Sequence, residues 1–272
     1  MSAAVDAPGA LPHSLTVRAP AEVWIGPGRA AYLGPSLRLA PHSGSVACLA
    51  IGVDDLLEVH VDHHVLRART VLVPARLTHR LVAHGERTAF CYVDPATVHH
   101  DRWATRMRHG VGGLRTGHDR EDELVGLAER GDAAGLIAIA VPGDAVGLDP
   151  RVRLAARRLA RPGNTDLTAD QLAAGIHLST SRFLHLFAEQ TGTGLRRYRL
   201  WARMLAAATV LSDGGDLTRA AADAGFATPS HLSAAFRRMF GLTPGQLLGH
   251  RPRITVRDSW SVTAPGPLDR SF

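Results

Sequence analysis

Residues 167–192 and 217–241 of this 272-residue chain are two copies of one pattern. LTADQLAAGIHLSTSRFLHLFAEQTG begins at Leu167, and LTRAAADAGFATPSHLSAAFRRMFG begins at Leu217. Leu167-Thr168 matches Leu217-Thr218, and Ala174-Gly175 matches Ala224-Gly225, at an offset of 50. Phe183 then matches Leu232, Phe187 matches Phe236 and Gly192 matches Gly241 at an offset of 49, so one residue is lost in the loop. Repetition at a fixed period means one supersecondary unit used twice.

Each copy has the grammar of a helix-turn-helix. A short helix ends at Gly175 or Gly225, where the turn tolerates positive φ. A polar cap then opens a second helix. Ser179 does so in the first copy and Thr228 in the second, where Pro229 suits the first helical position because its missing N–H is no loss there. Leu232, Phe236, Met239 and Phe240 fall at i, i+4, i+7 and i+8, one face of a helix. Phe183, Phe187, Leu232 and Phe236 are expected in the core, and Gly192 and Gly241 are natural C-terminal caps. A purely structural helical hairpin obeys the same grammar.

Between the copies, LRRYRLWARMLAAATVL (195–211) has no internal Gly or Pro. As one helix it is about 25 Å long at 1.5 Å per residue. A rod of that length holds two reading heads near the roughly 34 Å spacing of successive major-groove faces. Arg196, Arg197, Arg199 and Arg203 add charge near the join. Charge also separates the halves. Every Lys+Arg residue is an arginine, and the overall net charge is +6. Residues 1–148 hold 14 Arg against 16 acids, whereas residues 149–254 hold 15 Arg against 7 acids. A near-neutral half joined to a basic half points to a polyanionic partner for the second half, against the plainer reading of a solvated basic surface.

With these motifs in order, residues 150–250 resemble the DNA-binding domain of AraC/XylS-type transcription regulators. The resemblance rests on Ser179, Phe183, Phe187 and Thr191-Gly192, on Arg203, Ala207 and Leu211, and on Ala222, Gly225-Phe226, Ser230, Phe236, Gly241 and Thr243-Pro244. It implies a bacterial-type regulator with two helix-turn-helix units on one face of double-stranded DNA. A long helix would bridge them and place two helices in adjacent major grooves.

On helical periodicity, the first reading helix exposes Thr180, Ser181, Arg182, Leu184, His185 and Glu189. The second exposes Ser230, His231, Ser233, Ala234, Arg237 and Arg238. Arg182, Arg237, Arg238 and Ser230 are expected on phosphates. Ser181 and His185 are the best candidates for base edges, with Leu184 on a thymine methyl. His185 and Ala234 stand where many AraC/XylS relatives have Arg. Alanine makes no bidentate contact to guanine, so unequal reading heads are expected, the first more sequence-specific and the second mainly gripping backbone. Compensation by His231 or Ser233 is the alternative.

The first half reads differently. Residues 1–43 are rich in Pro, Gly and Ala and show little periodicity. SVACLAI, LLEVHV, VLRARTVLV, RLVAH and TAFCYV, between about 45 and 93, are short, partly alternating and β-branched, and read as strands of a small barrel or sandwich. Residues 120–140 read as a helix or helix pair, and Val141-Pro-Gly-Asp144 as a linker. The expected fold class is α+β: an N-terminal small β-barrel with helices (1–145), an all-α tandem domain (149–250) and a tail (251–272). No run reaches the ~20 apolar residues that span a bilayer. The N-terminus lacks the basic and apolar regions of a secretory signal. Cys48 and Cys91 are expected to be reduced core thiols. A cytoplasmic location follows as an expectation.

Pro41-His42 before a strand, the run LLEVHVDHHVLRARTVLVPARLTHRL and Tyr92-Val93-Asp94-Pro95 are similar to the cupin-like sensor domain common in this regulator family. Val73-Pro74 followed by His79 resembles the second cupin motif. In this reading a small-molecule effector occupies the barrel, with His42 and His79 as pocket candidates, and residues 120–140 support a homodimer or pass the signal on. Histidine is dense here (His42, His60, His63, His64, His79, His84, His99, His100, His109, His118), and imidazole is a good metal ligand. The His-x-His pair of a metal cupin is broken after His42, however, and His60 lies opposite Leu57, Val59 and Val61. No metal and no cofactor is therefore assigned. No nucleophile–base set, phosphate-binding glycine loop or CxxC pair is present, so no catalytic residue is named. The leading function is a sequence-specific, effector-responsive transcription activator. Its partners would be double-stranded DNA, RNA polymerase, the effector and a second copy, with no membrane. A metal-dependent cupin enzyme fused to a DNA-binding module and an effector-independent DNA binder stay open.

Overall fold

The computed structural model describes residues 20–97, 103–141, 148–161 and 163–257. His99, His100 and most of the expected linker lie outside the described residues.

Two sheets and a helix pair make up the first half. The strands are β1 (Glu22–Gly26), β2 (Arg29–Pro35), β3 (Ala47–Gly52), β4 (Leu57–Val61), β5 (His64–Ala68), β6 (Thr70–Val73), β7 (Arg80–Ala83), β8 (Arg87–Val93), β9 (Met107–Val111) and β10 (Leu114–His118). They are followed by α1 (Glu121–Glu129) and α2 (Ala133–Ala140). A last strand, β11 (Arg253–Val256), comes from the far end of the chain. The large sheet has the order β11-β1-β2-β8-β3-β6-β10-β9 and the small one β5-β4-β7. Neither order returns to its start, so the expected barrel is not closed. The break falls in VLRARTVLV. Arg69 turns the chain there, its guanidinium donating to the Val53 carbonyl at 2.8 Å, so that β5 and β6 enter different sheets.

The period of two along the strands builds two layers on the large sheet. Leu33, Leu49, Ile51, Ala89 and Cys91 face α1 and α2, where Leu124, Leu127, Leu136 and Ile137 complete that core. Tyr32, Ala50, Val71 and Phe90 point the other way, toward Leu57, Val59, Val61 and Leu81 of the small sheet. Both cysteines are free thiols, and burial pushes that of Cys91 up to about 12. Residues 120–140 are a pair of helices because Gly131 takes φ +72 and Asp132 recaps the chain, accepting from the Gly135 N–H at 2.8 Å.

Five strands were not legible as such: β1, β2, β9, β10 and β11. β1 and β2 lie in the stretch read as aperiodic, joined by a Pro27-Gly28 turn with Gly28 at φ +69. Ala30 and Ala31 are poor strand formers, and it is pairing with β8 on the other side that holds them extended. β9 and β10 meet at Gly112-Gly113, both at positive φ.

The second half is helical: α3 (Pro150–Leu159), α4 (Ala169–Ala174), α5 (Thr180–Thr191), α6 (Leu195–Ser212), α7 (Leu217–Asp223), α8 (Pro229–Phe240) and α9 (Pro244–Gly249). Its core joins Phe183 and Phe187 of α5, Tyr198, Trp201 and Met204 of α6, and Leu232, Ala235 and Met239 of α8. Ile25, Ala30, Val46 and Ala96 of the sheet half belong to the same cluster. The seam is also pinned by polar bonds. Tyr198 Oη donates to Asp94 Oδ2 at 2.6 Å, Ala40 N to the Gly241 carbonyl at 2.8 Å and Ser43 N to the Arg238 carbonyl at 3.0 Å. Residues 253–256, expected in a tail, instead pair in parallel with β1.

Candidate nucleic-acid interface

The second helix of each copy is set by its ends. Ser179 Oγ accepts from Arg182 N at 3.3 Å at the start of α5, and Thr228 Oγ1 from His231 N at 3.0 Å at the start of α8. Gly192 at φ +65 and Gly241 at φ +80 close the two helices in the left-handed conformation. These caps are those the sequence predicts. The turn of the first copy is not: Gly175 has φ −67, and His177 carries the positive φ of 55. The extra loop residue in that copy moves the left-handed position two places on. Gly175 is small for another reason, because a Cβ there would collide with the Arg158 guanidinium. Gly225, at φ +77, does make the expected turn.

Three caps in and next to the repeat were missed. Thr168 with Gln171, and Thr243 with Gln246, form reciprocal capping boxes at the starts of α4 and α9. The T-x-x-Q spacing was the available signal. Asp216 caps α7 by accepting from Arg219 N at 2.8 Å, so this helix starts two residues earlier in its copy than α4 does.

On α5, Ser181, Arg182, Leu184, His185 and Glu189 are exposed, with Leu184 39% exposed where a core leucine would be hidden. Thr180 is half-buried and its hydroxyl is bound to Asp170 of α4. That bond braces the two helices of the unit. On α8, Ser230, His231, Ala234, Arg237 and Arg238 are exposed and Ser233 is half-buried. The His231 ring stands edge-on to Phe226, with centroids 5.5 Å apart, which holds it against the turn. Arg237 and Arg238 occupy the last turn of α8, where cations also meet the helix dipole favourably. The two exposed faces differ in composition: α5 presents Ser181, Arg182, Leu184 and His185, while α8 presents Ser230, His231, Ala234, Arg237 and Arg238.

Phe236 and Phe240 depart from expectation. Both are half-buried and face the sheets, and Phe240 meets Tyr92 edge-on at 5.4 Å. Together with Tyr32, Phe90, Trp201 and Ile254 they line an apolar cavity of about 120 Å³ between the large sheet, α6 and α8. His42 and His79 lie elsewhere. They exchange backbone hydrogen bonds of 2.9 Å, their rings are 4.3 Å apart, and both are buried. Each Nδ1 faces a backbone carbonyl, Ala40 at 2.9 Å and Leu77 at 3.0 Å. Burial lowers the His42 pKa to about 4, helped by the neighbouring His79, and burial also lowers that of His79. The void beside them is about 20 Å³, room for about one water. Among the described residues no group of three or more His, Cys, Asp or Glu is placed to hold a metal ion. Nor, among them, is any helix long and apolar enough to cross a membrane.

Residues 172–250 match the family model of a helix-turn-helix domain. The C-terminal half therefore carries a helix-turn-helix domain. The whole fold is similar to that of ToxT from Vibrio cholerae bound to (E)-4-(8-methylnaphthalen-1-yl)but-3-enoic acid, at 9% identity over 82% of this chain and 99% of that one, with a TM-score of 0.51. An apo ToxT variant gives 10% identity, 83% and 98% coverage and a TM-score of 0.50. The C-terminal domain of AraT, a response regulator from Geobacillus stearothermophilus, aligns at 24% identity over 37% of this chain and 85% of that one, with a TM-score of 0.34. No curated protein is matched by the sequence.

Proposed function

We propose that the chain is an effector-responsive transcription activator acting in the cytoplasm, and that its effector is a small, largely apolar molecule. The apolar cavity supports this reading. Its walls come from both halves: Tyr32, Phe90 and Tyr92 from the sheet, Trp201 from α6, and Phe236 and Phe240 from α8. A cavity of about 120 Å³ is of the order that takes one aromatic ring. An occupant would touch the sensor sheet, the bridging helix and the second reading helix together, so its binding energy is coupled to the placement of the reading heads. The aryl butenoic acid named with ToxT is a ligand of that apolar kind.

His42 and His79 act behind the wall in this reading. Phe90 and Tyr92 line both the apolar cavity and the small void beside the histidines. The histidine pair therefore supports the pocket without touching the effector. The protein acts by binding, with RNA polymerase and a second copy of the chain as its further partners. Genomic fragments selected with the full-length protein give the operator. That operator should then be titrated with and without a series of aryl acids, from one-ring acids up to the aryl butenoic acid. A change in operator affinity, lost on Trp201→Ala, is the expected result; equal affinity with every apolar acid tried refutes the effector reading and leaves DNA binding intact.

A further inference from the structure

A second cleft between the halves has the opposite chemistry. Arg196, Arg197, Arg199 and Arg203 of α6 and Arg238 of α8 line a space of about 700 Å³, with His231 beside them. The facing wall holds Ser43, Ser45 and Thr78 from loops of the sheet half. Among the described residues, no Asp or Glu lines it. Helix phase sets the convergence: 196, 199 and 203 lie three and four apart on α6, and 231 and 238 lie two turns apart on α8.

The guanidiniums are only partly satisfied. Arg203 is paired with Asp166, which stands outside the cleft lining. Arg199 Nη2 donates to the Leu167 carbonyl at 2.6 Å, and Arg197 Nη1 to Ser43 Oγ at 3.2 Å. The Nε atoms of Arg199 and Arg203 are buried with no hydrogen-bond partner. Among the described residues, no carboxylate pairs with Arg196, Arg197, Arg199 or Arg238. Burial first, and the charge of Arg203 next, lower the pKa of Arg199. Arg196, Arg197 and Arg238 are exposed, so the penalty falls on the buried donors of Arg199 and Arg203, which are costly unless an anion offsets them.

We propose that this cleft binds a phosphorylated small molecule. Planar guanidinium forks match phosphate oxygens bidentately, and one carboxylate carries too little charge to offset four unpaired arginines. Ser43 and Thr78 supply hydroxyl donors from the opposite wall. The space of about 700 Å³ suits a nucleotide-sized ligand and is too small to hold a duplex, which can meet only its rim. Given the regulator reading, the occupant has a consequence for DNA. His231 and Arg238 belong to the second reading helix, so the ligand competes with DNA phosphates for them and holds α8 against the sheet loops.

Inorganic pyrophosphate is the probe, titrated calorimetrically into the full-length protein at constant ionic strength set with sodium chloride. Saturable binding of one pyrophosphate per chain is expected. The double variant Arg196→Ala/Arg238→Ala should weaken it by roughly tenfold or more. Ser43→Ala/Thr78→Ala should weaken pyrophosphate several-fold while leaving affinity for a duplex unchanged. Duplex binding by the unaltered protein, measured without pyrophosphate, tests the regulator reading separately. A response no larger than that of sodium chloride at equal ionic strength overturns the proposal. So does pyrophosphate binding that ignores Ser43→Ala/Thr78→Ala while the arginine variant loses duplex affinity, because the arginines are then a DNA grip.

Discussion

Tyr198 ties the bridging helix to the sheets through a single phenol. Its hydroxyl donates to Asp94, which also accepts from the Ala96 N–H at 2.8 Å. Burial pushes the Asp94 pKa up to about 6, against the lowering effect of those two donors. The sign follows from linkage. A carboxyl that holds its proton more tightly when folded gives most stability below the ordinary aspartate pKa. It loses that contribution as pH rises toward 6, and the contribution is flat above. Asp94→Asn should therefore flatten stability across pH 4–6 in urea melts taken at a series of pH values. Tyr198→Phe should cost about 1–3 kcal/mol at pH 7, where it strands an ionised carboxylate, and less at pH 5. A pH-independent cost would refute this account. Neither residue is given a role by the sequence: Tyr198 lies within the run 195–211, and Asp94 within Tyr92-Val93-Asp94-Pro95. Gly241 was legible as a cap, but not as a contact. A Cβ there would sit 2.7 Å from the Ala40 carbonyl and from His42 Nδ1, at φ +80. Gly241→Ala should cost roughly 1–3 kcal/mol by urea unfolding, from strain and a forced-open seam together.

At the scale of elements, α5 and α8 are equivalent in the repeat but not in chemistry. In the proposed reading, Ser181 and His185, exposed on α5, would meet base edges and Leu184 a thymine methyl. The exposed set of α8 surrounds Ala234 with Arg237 and Arg238. In an operator scanned base by base, the half-site under α5 should lose affinity by about 1–3 kcal/mol per wrong pair, and that under α8 by less. Equal losses contradict the asymmetry. Arg237→Ala should weaken all duplexes alike and reduce the salt slope by about one. The helices themselves were legible because caps and period are local. The inner face of α8 was half-read: Leu232 and Met239 are core, but Phe236 and Phe240 turn to the sheets, and no helical period says which neighbour an apolar stripe meets. The same limit applies to Gly175, whose role depends on Arg158 of another helix.

The whole molecule behaves as two halves with shared cores, joined again by β11. That strand hydrogen-bonds to β1 through Arg253 N to Ala21 O and Arg257 N to Ile25 O, both at 2.8 Å, and Ile254 lines the apolar cavity. Ending the chain after His250 should bare the β1 edge and one wall of that cavity. We expect a loss of roughly 1–3 kcal/mol, and an apolar dye should bind the shortened chain more than the full one. Unchanged melting would show that the strand merely rests there. The sequence by itself determined the helical tandem, its caps, the long bridge and the basic charge of that half. Those features rest on contacts within a few residues, where spacing and side-chain chemistry suffice. Only the tertiary structure decided that the sheet stays open, that Ala30 and Ala31 lie in a central strand, that residues 253–256 join β1, and that arginines of α6 and α8 face Ser43 and Thr78. Each of these is a pairing across tens to hundreds of residues. Strand register and packing partners come from the shared burial of surfaces that carry no mark of each other in the chain.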